Sequence, residues 1–253
     1  MKMKIGLLLR SRLLSKSLID FFSTNKNIKI IFYQSDLIMK NYLKKKIKSD
    51  NISWVSNKKK NENQILKILK KNSIDLIISS QHSWILSKKI IDKMKGNIFN
   101  CHFGKLPEYR GHDPINYSII NNEKYCWSTL HKITDIVDSG YIISQKKIII
   151  GKKSPRELES LMVKNFINQI SKFLLKFSKN QKIYTKKIIL KKSRFFKYNN
   201  IKKIKKVKNI KNFLKKIQAL NHAPHEPAYV KINKRKIYLL TDYKEYLNFK
   251  NQL

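Results

Sequence analysis

Asn100 and His102 stand two residues apart in the run NIFNCHFG. On an extended chain, residues two apart share a face, so this spacing sets an amide N–H beside an imidazole. Downstream, TDIVDSG adds a carboxylate, Asp138. These are groups fit for acyl transfer to an amine. Attack on an acyl carbon builds an oxyanion, and donors placed at the developing charge are commonly the largest catalytic contribution. The attacking nitrogen must lose a proton and the leaving group must gain one. A histidine, with an unperturbed pKa near ~6.5, moves protons at neutral pH, and a carboxylate beside it orients the ring and favours its charged form. The residues alone leave His102 open as base or as oxyanion donor. Taken singly, an Asn-x-His at a strand end is commonly a structural hydrogen-bonding pair, and an Asp-x-Gly is commonly a turn. Their joint spacing with the loop FGKLPEYRGHDP favours the chemical reading.

That loop sits in a stretch of demanding local geometry. Four of the six glycines (Gly96, Gly104, Gly111 and Gly140) and two of the five prolines (Pro107 and Pro114) fall within 45 residues. Glycine permits positive φ or close backbone approach, and proline fixes φ. The stretch opens at the end of an apolar strand, where open α/β sheets bind ligands.

The preceding hundred residues must supply the sheet. KIGLLL (4–9), IKIIFY (28–33), ISWV (52–55), IDLIIS (74–79) and NIFNC (97–101) read as strands, several apolar on both faces as central parallel strands are. Between them SKSLIDFF, LIMKNYLKKKI, ENQILKILKKN and ILSKKIIDKMK carry helical periodicity. This alternation predicts an α/β fold, a Rossmann-like and mostly parallel sheet with flanking helices. Two further extended runs lie between Tyr125 and Ile150, and a long helix is expected from Pro155 to about Phe177, with Ser154 as N-cap. The expected division is a catalytic domain over 1–180 and a small Lys-rich region over 181–253. The latter carries a helix and ends in a hairpin in AYVKINKRKIYLL that turns at Asn233-Lys234. The 201–216 pattern reads as a basic helix with a solvated face.

Composition narrows the class. The formal charge of +40 would suit a polyanion partner, yet only six of the 56 basic residues are Arg, and the chain is rich in Ile and Asn with three Ala. Codon bias of an A/T-rich genome gives the same composition without a selected partner. One stretch is distinctive: from Ser160 to His225 there is no carboxylate against 19 Lys and Arg. No run approaches the ~18 apolar residues of a membrane span, and the start, MKMKIGLLLRSR, shows no cleavage pattern. A soluble, cytoplasmic protein is expected. Cys101 and Cys126 are too few for a disulfide framework. With His82, His112 and His131 they show no metal-ligand spacing, so no metal is expected.

The run IFNCHFGKLPEYRGHDPINYSIINNEKYCWSTLHKITDIVDSGYIISQ resembles the folate-dependent formyltransferase family. In that family an Asn-x-His is followed by a Leu-Pro-x-Tyr-Arg-Gly loop and later by an Asp-x-Gly. The resemblance covers residues 74 to 150. It implies that Asn100, His102 and Asp138 are the catalytic trio and that 10-formyltetrahydrofolate is the formyl donor. It implies a donor cradle from Ser80, Gln81, His82, Trp84, Ile85 and Leu86, with Ile136 and Val137, although Trp84 reads equally well as core. Acceptor contacts fall to Lys105, Tyr109, Arg110 and Gly111, and His131 matches a histidine common in the family that supports its strand.

The acceptor is less defined. The tail IQALNHAPHEPAYVKINKRKIYLL resembles that of nucleotide-sugar N-formyltransferases, departing from it at Gln218, where Arg is common, and in the insert His222 to Glu226. An amino-deoxysugar nucleotide for surface polysaccharide is therefore the first expectation. Methionyl-tRNA is the second, glycinamide ribonucleotide the third, and an RNA-binding fold without activity the non-enzymatic alternative. A homodimer through the terminal hairpin is implied by the same resemblance.

Overall fold

The computed structural model describes residues 2–10, 12–47, 51–197, 210–220, 227–233 and 235–240. Five strands and their crossovers build the first half: β1 (Met3–Leu8), α1 (Leu13–Thr24), β2 (Ile28–Ser35), α2 (Leu37–Lys46), β3 (Ser53–Ser56), α3 (Glu62–Lys71), β4 (Leu76–Ser80), α4 (Lys88–Lys93) and β5 (Ile98–His102). After β5 come a two-residue strand β6 (Arg110–Gly111), α5 (Pro114–Ile120), β7 (Tyr125–Lys132), β8 (Ile142–Ile149) and α6 (Pro155–Ser178). The remaining elements are β9 (Phe195–Phe196), α7 (Ile210–Leu220), β10 (Ala228–Ile232) and β11 (Arg235–Leu239).

Seven strands form one sheet in the order β3-β2-β1-β4-β5-β7-β8. The first five are parallel and the last two antiparallel. Strand order reverses between β1 and β4, which opens a crevice at the carboxyl ends of the strands. The Rossmann-like expectation is thus the observed α/β architecture.

Alternation along the strands decides which residues reach that crevice. On β5, Phe99 and Cys101 enter the core shared with α1 and α6, while Ile98 enters the opposite core with α3 and α4. Period-two geometry then puts Asn100 and His102 on the face of Ile98. On β7, Cys126 and Leu130 join the α6 core, which leaves Thr129 and His131 on the site face. The β5–β7 register pairs Asn100 with His131 and His102 with Thr129.

Helix α6 backs this arrangement. Phe173 packs against Phe99 with ring centroids 4.5 Å apart, and Phe166 packs edge-on to Phe103 at 4.9 Å, just beyond His102. The helix starts where the sequence indicates. Ser154 Oγ accepts from the Glu157 N–H and Glu157 Oε2 accepts from the Ser154 N–H, a reciprocal cap with Pro155 at the first helical position.

At the far end α7 lies against α5, where Asn116 Nδ2 donates to the Ala219 carbonyl. Strands β10 and β11 pair antiparallel, with Ile232 opposite Arg235 and Asn233 at φ 47° in the turn. Lys234, the first part of the expected 201–216 helix and the insert His222 to Glu226 lie outside the described residues.

Ser154→Ala should cost roughly 1 kcal/mol, lowering the melting temperature by about 2–4 °C, because one capping acceptor is lost. Thermal unfolding by circular dichroism checks this. Turnover should stay unchanged, since the cap lies away from Asn100 and His102.

Candidate active site

Asp138 sits in the loop between β7 and β8, with φ 49°. Neighbouring hydroxyls brace the turn: Ser139 Oγ donates to the Ile136 carbonyl at 2.8 Å and lies 2.9 Å from Thr134 Oγ1. The carboxylate is only 10% exposed and meets three partners from three segments. Its Oδ2 lies 3.5 Å from His102 Nδ1 and accepts from the Gly111 N–H at 2.9 Å. Its Oδ1 lies 3.4 Å from His131 Nε2, and that nitrogen is also 3.2 Å from Asn100 Nδ2. One chain of polar contacts therefore runs from Asn100 through His131 and Asp138 to His102. At the far end, His102 Nε2 lies 2.6 Å from the Tyr109 carbonyl.

The electrostatics follow from burial and pairing. Burial alone would raise the Asp138 carboxyl. The charges on His102 and His131, the His131 hydrogen bond and the Gly111 N–H together reverse that and hold it well below the usual carboxylate range. For His102 burial dominates and lowers the imidazole. Asp138 and the Tyr109 carbonyl oppose the shift, and His131 and Arg110 reinforce it. The resting ring is therefore neutral near pH 7, yet each of its nitrogens faces an acceptor. Such a ring is ready to take a second proton when a bound amine supplies it.

The loop carrying LPEYRG approaches His102 closely, and Leu106-Pro107 is a cis peptide. A Cβ on Gly104 would stand 2.8 Å from His102 Nε2, 2.8 Å from the Tyr109 carbonyl and 2.7 Å from Pro114 Cβ, so only glycine leaves the His102–Tyr109 contact intact. Gly111, at φ 91°, presents its N–H to Asp138. The side chains expected at an acceptor are otherwise engaged. Tyr109 is buried, and its hydroxyl donates to Glu123 Oε1 at 2.6 Å. Arg110 is buried too, with Nε and Nη2 both donating to the Val137 carbonyl and Nη1 to Ser193 Oγ. Lys105, half-exposed, pairs with Glu108 at 2.7 Å.

The loop after β4 carries the expected donor contacts. Ser80 Oγ, Gln81 Oε1, both ring nitrogens of His82 and Trp84 Nε1 are buried with no hydrogen-bond partner among the described residues. Burial alone pushes the His82 imidazole down to about 4, so it is neutral, and it packs edge-on against Trp84 at 4.5 Å. Ile85 and Ile136 are exposed, whereas Leu86 is buried in the α3–α4 core and so supports the loop from below. Val137 contributes its carbonyl to Arg110. Among the described residues no group of His, Cys, Asp and Glu could hold a metal ion.

His131 joins the polar cluster of Asn100, Asp138 and His102, beyond the strand support expected of it. The signal was present in period two, since His131 shares a face with Thr129 on β7, but its place opposite Asn100 depends on register, which no local pattern supplies.

Residues 24–166 match the family model for formyl transferase, a span that holds Asn100, His102, His131 and Asp138. The chain belongs to the formyl transferase family. It is 30% identical over 106 residues to a methionyl-tRNA formyltransferase of Finegoldia magna, covering 42% of this chain and 34% of that relative. The match thus spans about a third of that relative's length. In fold it is similar to a 4-N formyltransferase from Francisella tularensis, with a TM-score of 0.74 and 19% identity over 95% of this chain and 97% of that one. It is similar also to WlaRD, a sugar 3N-formyl transferase solved in the presence of dTDP and 5-N-formyl-THF, with a TM-score of 0.65, 22% identity and coverage of 94% and 85%.

Two outcomes follow. If neutral His102 is the active form, kcat/KM should hold level down to below pH ~6.5 and fall only on the acid side of that value. Asp138→Asn removes the charge that raises the His102 pKa, so its acid limb should move further down while kcat falls; a pH–rate profile reads both. Gly104→Ala, by wedging His102 from the Tyr109 carbonyl, should lower turnover by roughly 10²-fold with the far-ultraviolet dichroism unchanged.

Proposed function

We propose that this protein is an N-formyltransferase that moves a formyl group from 10-formyltetrahydrofolate to the amine of an amino-deoxysugar nucleotide. The observation that carries the chemistry is the buried chain Asn100–His131–Asp138–His102 at the carboxyl edge of the sheet. The donor fits the loop over 80–87, where Ser80 Oγ, Gln81 Oε1, the His82 ring nitrogens and Trp84 Nε1 have no partner among the described residues and would gain hydrogen bonds from a polar heterocycle. The donor supplies the activated formyl carbon, and the chain's own residues do the rest. Asn100 offers an amide N–H to the oxygen that becomes negative as the amine adds. His102 accepts the proton that the amine sheds, and Asp138 stabilises the resulting imidazolium. His102 then returns a proton to the departing folate nitrogen. A C–N bond to the acceptor forms, the C–N bond to folate breaks, and the proton count closes.

The sugar-nucleotide acceptor is supported by likeness in fold to a 4-N formyltransferase and to a sugar 3N-formyl transferase over nearly the whole chain. Methionyl-tRNA is the second reading, supported by the Finegoldia relative and by the carboxylate-free stretch from Ser160 to His225, whose charge suits tRNA phosphates or a pyrophosphate alike. Both readings place the reaction in the cytoplasm; among the described residues no helix is long and apolar enough to cross a membrane. Pairing of two copies through the β10–β11 hairpin belongs to the sugar reading.

The test is tetrahydrofolate release from 10-formyltetrahydrofolate with a panel of amino-deoxysugar nucleotides and, in parallel, charged initiator tRNA. Turnover with an aminosugar nucleotide is expected. Turnover with tRNA alone would replace the first reading by the second. No release with either acceptor or with glycinamide ribonucleotide, together with RNA binding that collapses as salt rises, would reduce the protein to a binding module.

A further inference from the structure

Beyond α6 the chain returns along the β8 edge, where Lys186 and Ile142 exchange backbone hydrogen bonds of 2.8 and 2.9 Å. It then crosses the LPEYRG loop as a short strap, with β9 running parallel to β6. The strap grips Tyr109, Arg110 and His112. The Arg194 carbonyl accepts from the Arg110 N–H at 3.2 Å, and the Phe196 carbonyl accepts from the His112 N–H at 2.9 Å. Ser193 Oγ accepts from Arg110 Nη1 at 3.3 Å. The Phe196 ring stacks on Tyr109 at 5.2 Å and on Tyr117 at 4.2 Å. The Arg194 guanidinium covers the Tyr109 ring at 4.9 Å and reaches Glu123 at 3.6 Å, the carboxylate that also holds the Tyr109 hydroxyl.

Tyr109, Arg110 and Gly111, the last lying between the two gripped N–H groups and opposite Phe196 in the β6–β9 pairing, face the reacting groups on their other side. Tyr109 gives its carbonyl to His102, Arg110 clamps the carbonyl of Val137 next to Asp138, and Gly111 gives its N–H to Asp138. Space is tight here: a Cβ on Gly111 would collide with the Phe196 carbonyl, so strap and loop backbones lie in close contact.

We propose that Ser193, Arg194 and Phe196 are positioning residues, and that the strap sets the geometry of His102 and Asp138 by fixing Tyr109, Arg110 and Gly111 between itself and that pair. The strap contacts given above fall on the LPEYRG loop, Tyr117 and Glu123, so its effect is expected on the chemical step. Its small area argues against a role in general stability. It forms a two-residue pairing with a half-exposed aromatic ring, apart from both cores of the main sheet. The proposal rests on the roles given above to His102 and Asp138, and its test separates the two.

Phe196→Ala and Phe196→Tyr are compared with the native chain in two measurements. Amide hydrogen exchange needs no substrate. In Phe196→Ala, the Gly111 amide should exchange at least ~10-fold faster while β4 and β5 amides keep their protection. In turnover, kcat should fall on the order of 10-fold or more with KM for the folate donor nearly unchanged. Phe196→Tyr, which keeps the stack, should restore both. Ser193→Ala deletes one hydroxyl contact and should show the same pattern in milder form, which serves if the alanine at 196 fails to fold. Unchanged Gly111 exchange, or faster exchange with native kcat, would overturn the proposal. So would a loss in KM alone. If the native chain itself transfers no formyl group, the proposed reaction fails, while the exchange data still show whether the strap holds Gly111 on Asp138.

Discussion

A single buried carboxylate organises this molecule. Asp138 keeps its charge in a pocket where an unpaired ion would cost several kcal/mol, so it demands donors from every side. They come from β5 through His102, from β7 through His131 and from the LPEYRG loop through Gly111. Three segments distant in sequence must therefore meet at one point, and the sheet register that pairs Asn100 with His131 is what brings two of them there. Substituting any one partner leaves the charge partly unmatched.

The strap extends the same dependence outward. A carbonyl from Tyr109 and an N–H from Gly111 are good partners only if the loop between Lys105 and His112 is held, and a loop this exposed to conformational choice needs an outside grip. Arg110 supplies part of it from within, spending its guanidinium on the Val137 carbonyl and Ser193. The result is a site in which Asn100, His102 and His131 lie on strands, Asp138 stands in the β7–β8 loop, and the backbone contacts come from a clamped loop. That division suits chemistry in which donors must stand ready before charge develops.

Much of this was legible in the residues because it obeys local periodicity. Strand and helix patterns gave the α/β order, Ser154 with Glu157 marked the start of α6, and the two-residue spacing of Asn100 and His102 put them on one face. What local pattern does not encode is the meeting of distant segments. His131 looked like strand support because its partner is fixed by register. The resemblance implies acceptor contacts from Tyr109 and Arg110, and the packing that engages their side chains with Phe196, Glu123, Val137 and Ser193 comes from segments that no local pattern brings together. The strap itself lies in a Lys-rich, weakly patterned region, and only the two-residue pairing of β9 with β6 distinguishes it from ordinary surface.

The central claim is that Asn100 and His102 act on the transferred group, with Asp138 sustaining them. The most direct test is single-turnover formyl transfer by Asn100→Ala and His102→Ala, with bound donor and saturating acceptor and with native-like dichroism confirmed for each. Each should lose at least ~10²-fold in rate, the usual size for removing an oxyanion donor or a general base. A folded variant of either kind that transfers the formyl group at close to the native rate would contradict the account.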